Sequence, residues 1–399
     1  MALIKIMPFI IIFILIIYED QISTPSCKLV PGANSPEKIA GENGQNSGED
    51  DLKVMIVANL LLLGSEAGSF NFFFRDYYLS KFFKKSFQLL KPDMLLVLGD
   101  VSARGAELTR SNWSSVIQQF HKMLGPFLDL PYHVLLGDRD IGGCSDLNSR
   151  SVSWISSNFP GLDSSGCSAF GISNTSFVSL NSVALLCGDN SLRFGVERTV
   201  EIESTELQME TEKTEQLLQV PKDITFKDFS WRENVLSSGS GPVLLLHMPL
   251  HLRPNYRQES NMYDEYPESM HWDATSTESR GLSGVGPYEL WHTLPPNATE
   301  YIFQALKPRI IFSAHTHKFC DRTHYDGTRE ITVPAMSWEA IDDPGFVVAS
   351  FKSDRKSVSV SHCLLAKESS VIFTCTSILV LTILSLFVTH SPSQTNSLS

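Results

Sequence analysis

Apolar positions along the chain fall into two long terminal runs and a series of short internal ones. The internal runs are solid rather than alternating, as in "KVMIVANLLLLG", "MLLVLGD", "HVLLGD", "PVLLLHM" and "RIIFSAHTH". Solid runs of this length are what strands covered on both faces require. They predict strands at Val54–Ala58, Met94–Leu98 and His133–Leu136, with helices at Phe70–Leu90 and Trp113–Met123 between them. Strand and helix alternate, which predicts an α/β fold with a mainly parallel sheet. After Cys167 the rhythm changes. "CSAFGISNTSFVSLNSVALLCG" has short β-rich runs broken by Asn and Ser, which predicts a hairpin or meander added to that sheet.

The terminal runs divide the chain differently. Residues 1–20 contain "PFIIIFILIIY" after Lys5 and before Glu19 and Asp20, the pattern of a signal peptide or signal anchor. Residues 371–388 form an uncharged stretch long enough to cross a bilayer as a helix, and residues 389–399 are a short polar tail. Residues 21–52 read as a flexible polar linker, because from about Pro31 they are rich in Gly, Asn, Ser and Glu. The body, residues 53–366, is then expected in the lumen of the secretory pathway, with membrane lipid around one or two terminal helices. Within it, residues of about 196–235 are charged and read as a solvated helical insertion. "NMYDEYPESMHWDATSTESRGLSGVG" reads as a long loop of the kind that borders active sites.

Composition narrows the function. The 399 residues are 42% hydrophobic and 19% charged, enough to bury a sizeable core. A formal charge of -12 argues against nucleic acid as a partner and leaves cation binding open. Six cysteines outside the apolar stretch (Cys27, Cys144, Cys167, Cys187, Cys320 and Cys363) permit three bridges, and none has thiolate-zinc spacing. The sequons at Asn112, Asn174 and Asn297 fit a lumenal glycoprotein but add little weight.

The chemistry gathers where the strands end. In an open α/β sheet, ligands collect beyond the carboxyl ends of the strands. Asp100, Asp138, Asp140, His247, His315 and His317 all fall at such ends. Carboxylate and imidazole together are the donors that hold manganese, zinc or iron. Any one of these residues alone reads better as a turn residue or a satisfied core histidine. Four strand ends agreeing point to a metal.

These residues resemble the calcineurin-like metallophosphoesterases. That family carries five ordered blocks: Asp-x-His, Gly-Asp, Gly-Asn-His-Asp or Glu, a His after an apolar strand, and Gly-His-x-His. Here the blocks fall in order at Asn59-Leu60-Leu61, Gly99-Asp100, Gly137-Asp138-Arg139-Asp140, His247 and Ala314-His315-Thr316-His317. The resemblance implies a four-layer α/β/β/α sandwich with mixed sheets, flanked here by the terminal apolar segments, and a divalent metal site above it. "ANLLLLG", "LNSVAL", "LLLHMPL" and "VPAMSW" look most like the membrane-bound branch that removes ethanolamine phosphate from GPI anchors.

The departures from the family pattern matter as much. The first metal would keep only Asp100, His317 and Asn59, since Leu61 cannot ligate. The second would have Asp100, Asp138, His247 and His315, with Asp138 replacing a neutral Asn, so one ion per chain is expected, with two as the alternative. Arg139 stands where the family has the histidine beside the substrate, next to Asp140. An arginine keeps its proton, so it can grip phosphate oxygens but cannot act as an acid. The expectation is a metal-dependent phosphodiesterase-type hydrolase of the endoplasmic reticulum or Golgi membrane, with catalytic residues Arg139 and Asp140. Its partner would be a phosphodiester substrate, a GPI glycolipid or GPI-anchored protein. The alternative is an impaired pseudo-phosphoesterase that binds a phosphate headgroup or a partner protein.

Overall fold

A strand that is apolar at every position must be covered on both sides. The computed structural model, which describes residues 2–31, 51–187, 191–217, 239–252, 292–352 and 357–390, meets that demand with two sheets face to face and helices outside them. In chain order its strands are β1 (Ser26–Val30), β2 (Leu52–Val57), β3 (Met94–Leu98), β4 (Tyr132–Leu135), β5 (Ser168–Ile172), β6 (Thr175–Ser179), β7 (Val243–Leu245), β8 (Ile310–Ser313), β9 (Cys320–Thr323), β10 (Arg329–Thr332), β11 (Gly345–Phe351) and β12 (Val358–Leu364). The helices are α1 (Ala2–Ile22), α2 (Asp76–Leu90), α3 (Arg110–Leu124), α4 (Asp138–Ile141), α5 (Ser149–Ser156), α6 (Ser182–Leu186), α7 (Ser191–Leu217), α8 (Pro296–Leu306) and α9 (Glu368–His390).

One sheet runs β1-β12-β11-β2-β3-β4 and the other β5-β6-β7-β8-β10-β9. Pairing is parallel along β2-β3-β4 and along β6-β7-β8-β10, and antiparallel elsewhere. Both sheets are therefore mixed, as the family resemblance implies, where strand and helix alternation alone predicts a mainly parallel one. The two-residue period sorts their side chains. Val54, Ile56, Leu96 and Leu98 join Phe177, Val243, Leu245 and Phe312 in the core between the sheets. Met55, Val57, Leu95 and Val97 join Phe82 and Phe83 of α2 and Trp113 and Phe120 of α3 on the outer side. Each solid run thus serves two cores.

The structure departs from the sequence reading at several places. Helix α3 starts three residues before Trp113, because Thr109 accepts a hydrogen bond from the Asn112 amide and caps it. The "NSVAL" stretch is α6 rather than strand, since the Asn181 side chain caps the Ala184 amide. Helix α7 occupies the first part of the charged insertion and buries Leu192, Val196 and Val200. The later part of that insertion and the long loop after His251 lie outside the described residues. Within the expected linker, Ser26–Val30 pairs with β12, and a Cys27–Cys363 disulfide fixes the register. Cys144–Cys187 is the other bridge, so two of the three permitted pairs form among the described residues.

Helices α1 and α9 pack on each other where the two chain ends meet. Their junction with the body is ionic. Arg75 pairs with Glu368 at 2.8 Å, and Lys81 with Glu19 at 2.7 Å. Phe13, Ile14, Phe373, Leu379 and Phe387 remain exposed on this pair. Among the described residues no helix is long and apolar enough to cross a membrane.

Phe177 holds the inter-sheet core, stacked on Phe170 at 5.2 Å and edge-on to Phe351 at 5.6 Å. Phe177→Ala is expected to lower unfolding free energy by about 3–5 kcal/mol in urea titration.

Candidate metal centre

The loops that carry the candidate ligands leave their strands in a conformation L-residues avoid. Asn59, Leu61, Asp100, His315 and His317 all have positive φ, between 51° and 65°. Such a residue costs on the order of 1–3 kcal/mol unless its surroundings impose it. Here main-chain hydrogen bonds impose it: the Asn59 amide donates to the Gly99 carbonyl at 3.1 Å, and the Leu61 amide to the Asp100 carbonyl at 3.0 Å. The glycines of the Gly-Asp blocks follow from crowding. A Cβ on Gly99 would lie 2.5 Å from His247 Nδ1, and one on Gly137 would lie 2.1 Å from Asp100 Oδ1. Only glycine lets the two loops close on the histidine.

Asp138, His247 and His315 converge, with one ligand atom of each inside a 4.8 Å group. Asp138 Oδ1 is shared, 2.8 Å from His247 Nε2 and 3.0 Å from His315 Nδ1. Asp100 Oδ1 approaches His247 Nε2 at 3.5 Å. The other nitrogen of His247, Nδ1, donates to the Leu98 carbonyl at 2.8 Å, which orients the ring from the end of β3. With Asp100 beside the three-residue group and not within it, these four side chains are the set expected for a single ion.

Electrostatics bind this group tightly. Burial opposes charge on His247, yet Asp100 and Asp138 outweigh it and raise its pKa to about 10. Burial works the other way on Asp138, where hydrogen bonds from His247 and His315 hold the carboxyl well below its usual range. Asp100 is pushed up by burial, with His247 opposing. Without a cation, the protonated His247 ring supplies the positive charge between two carboxylates.

The remaining candidates lie around this group. Arg139 Nε is 3.8 Å from Asp100 Oδ2, and its side chain is 43% exposed, so it can reach a substrate phosphate. Asn59 is buried and neither atom of its amide has a partner, an uncommon state for a native polar group. His317 does not join the three-residue group, and burial with the nearby charge of Arg139 lowers its pKa to about 4. Asp140 turns away from the centre: it is fully buried and accepts hydrogen bonds from the amides of Ser102 at 2.8 Å, Gly137 at 2.9 Å and Val101 at 3.3 Å. Its oxygens are occupied by loop amides, so the structure places it as a support of the ligand loops, where a catalytic role was expected. The sequence reading missed His292, whose Nδ1 lies 3.1 Å from His315 Nε2. Its signal was a histidine at the downstream edge of the long loop, outside every block.

A calcineurin-like phosphoesterase family model matches residues 73–319. The chain belongs to that family, a family of metallophosphoesterase-type hydrolases that use divalent metals. It is 30% identical to "Metallophosphoesterase 1" of Xenopus laevis over 338 residues, covering 83% of this chain and 77% of that one. It is 26% identical to the protein of the same name from Ailuropoda melanoleuca over 336 residues, 82% of this chain and 76% of that one. Among solved structures, a dimetal phosphatase from Danio rerio aligns at 13% identity with a TM-score of 0.44, over 75% of this chain and 92% of that one.

The residues present fit one divalent cation. Two carboxylates and two imidazoles suit manganese, zinc or iron, and the unpartnered Asn59 amide offers a further oxygen. His247 must lose its proton to ligate, so loading at pH 7 is expected to release about one proton per ion. Apparent affinity then climbs as pH rises toward 10. Calorimetry in buffers of different ionisation enthalpy measures both.

Asp140 gives a second prediction. Burial, reinforced by Asp100, raises its pKa from 3.8 to about 7 in the folded protein. Its contribution to stability is complete below 3.8 and lost as pH rises through 7. The stability gap between the metal-free wild type and Asp140→Asn is therefore expected to narrow over that interval, as read by urea unfolding.

Proposed function

We propose that this chain is a metal-dependent phosphodiesterase of the secretory-pathway membrane that cleaves ethanolamine phosphate from GPI anchors on the lumenal side. The observation that carries the hydrolase reading is the convergence of Asp138, His247 and His315 on one point. The two disulfides support an oxidising compartment. The exposed apolar side chains of the α1–α9 pair, clamped to the body by Arg75–Glu368 and Lys81–Glu19, support contact with a membrane surface, although no described helix is long and apolar enough to span one. The choice of GPI as substrate rests on the sequence resemblance to the GPI-remodelling branch, with which the name of the Xenopus laevis relative is compatible.

A bound divalent cation supplies Lewis acidity toward a phosphoryl oxygen and lowers the pKa of a ligated water. Asp100, Asp138, His247 and His315 would hold it. Arg139 binds the non-bridging phosphate oxygens in bidentate fashion and offsets charge that accumulates on them. With arginine in place of the family histidine, the departing alcohol takes its proton from solvent. The buried Leu61, 4% exposed where the first block would place a ligand, excludes a complete first metal set. That residue favours a second reading, in which the centre binds a phosphate headgroup without turning it over.

The full chain purified in detergent is expected to carry about one metal per chain by elemental mass spectrometry, and to hydrolyse a nitrophenyl phosphodiester. His247→Ala should lose both. Metal without hydrolysis would select the binding reading. No metal above the variant's background would remove both.

A further inference from the structure

The two imidazoles of the centre each turn one nitrogen toward Asp138 and the other outward. For His247 the outward nitrogen meets the Leu98 carbonyl at 2.8 Å. For His315 it meets His292 Nδ1 at 3.1 Å, with the ring centroids 5.3 Å apart. The parallel is chemical as well as geometric. A metal-binding imidazole needs its second nitrogen to carry the proton and an acceptor to receive it, which fixes both tautomer and ring angle.

We propose that His292 is a positioning residue of the metal centre, accepting the His315 Nε2 proton so that Nδ1 faces the cation. This inference rests on the proposed metal reading and adds a residue that belongs to none of the five blocks. Asp138 cannot do the same work, since it lies on the Nδ1 side of the ring at 3.0 Å. Nε2 is the nitrogen that His292 meets, 3.1 Å away. His292 stands at the start of the segment that leads into α8 (Pro296–Leu306). His315 itself has a left-handed backbone, φ 65°, and the imidazole that meets its ring comes from a different loop.

The test is zinc affinity of the full chain, titrated against a competing chelator, for wild type, His292→Ala and His292→Asn. Asparagine places its Oδ1 close to where Nδ1 of histidine lies and keeps the acceptor. The expected result is a weakening of about 10–100-fold in His292→Ala, largely restored in His292→Asn, with equal melting temperatures of the three metal-free proteins. Unchanged affinity in His292→Ala would overturn the assignment while leaving the metal centre intact. Equal weakening in both variants would overturn it too, because an acceptor alone would then be insufficient. Absence of zinc binding by the wild type would instead remove the metal reading, and this inference with it.

Discussion

A single buried carboxylate holds the two ligand loops together. Asp140 has no solvent around it, and its oxygens are taken up by the amides of Val101, Ser102 and Gly137. Val101 and Ser102 follow β3, whereas Gly137 follows β4. Asp100 and Asp138 each adjoin one of these bonded positions, so the separation between the two carboxylates is set by a third. Stranding these amides would cost about 1–3 kcal/mol for each one left unpaired in the interior. The spacing of Asp100 and Asp138 inherits that constraint.

The same main-chain scaffold explains how the first block could lose its donors without losing its shape. Leu61 has no side-chain reason to adopt φ 53°, and for a leucine that value is strained. Its amide is nevertheless held by the Asp100 carbonyl, and the next amide, of Leu62, by the Val101 carbonyl at 2.8 Å. The loop is held by main-chain bonds to its neighbours. Ligand identity there is consequently separable from fold, and the centre can shrink from two ions toward one with little disturbance elsewhere.

Much of this was legible in the sequence because the signals were local. Solid apolar runs mark strands with two covered faces, and Gly-Asp marks a tight exit from them. Asp100, Asp138, His247 and His315 could be named because each directly follows such a run. Three features were not legible. The direction of Asp140 is decided by amides nearly forty residues away along the chain. β1 has mostly exposed residues and owes its place to pairing with β12 at the far end of the sequence. His292 has no neighbour in the sequence that marks it, and its contact with His315 is created wholly by tertiary structure. The mixed pairing of the sheets was legible through the family resemblance and not through the apolar pattern, since an antiparallel neighbour such as β11 can lie almost three hundred residues from β2.

The Cys27–Cys363 bond spans 336 residues and closes nearly the whole polypeptide into a covalent ring. A single peptide-bond cut anywhere inside that ring opens it without releasing either piece. The strands on the two sides of the cut stay joined through sulfur, and the ends that bear α1 and α9 stay beside each other. A nicked molecule of this kind keeps its mass until a reductant reaches the bond, so the number of chains seen would depend on the redox state in which they are counted.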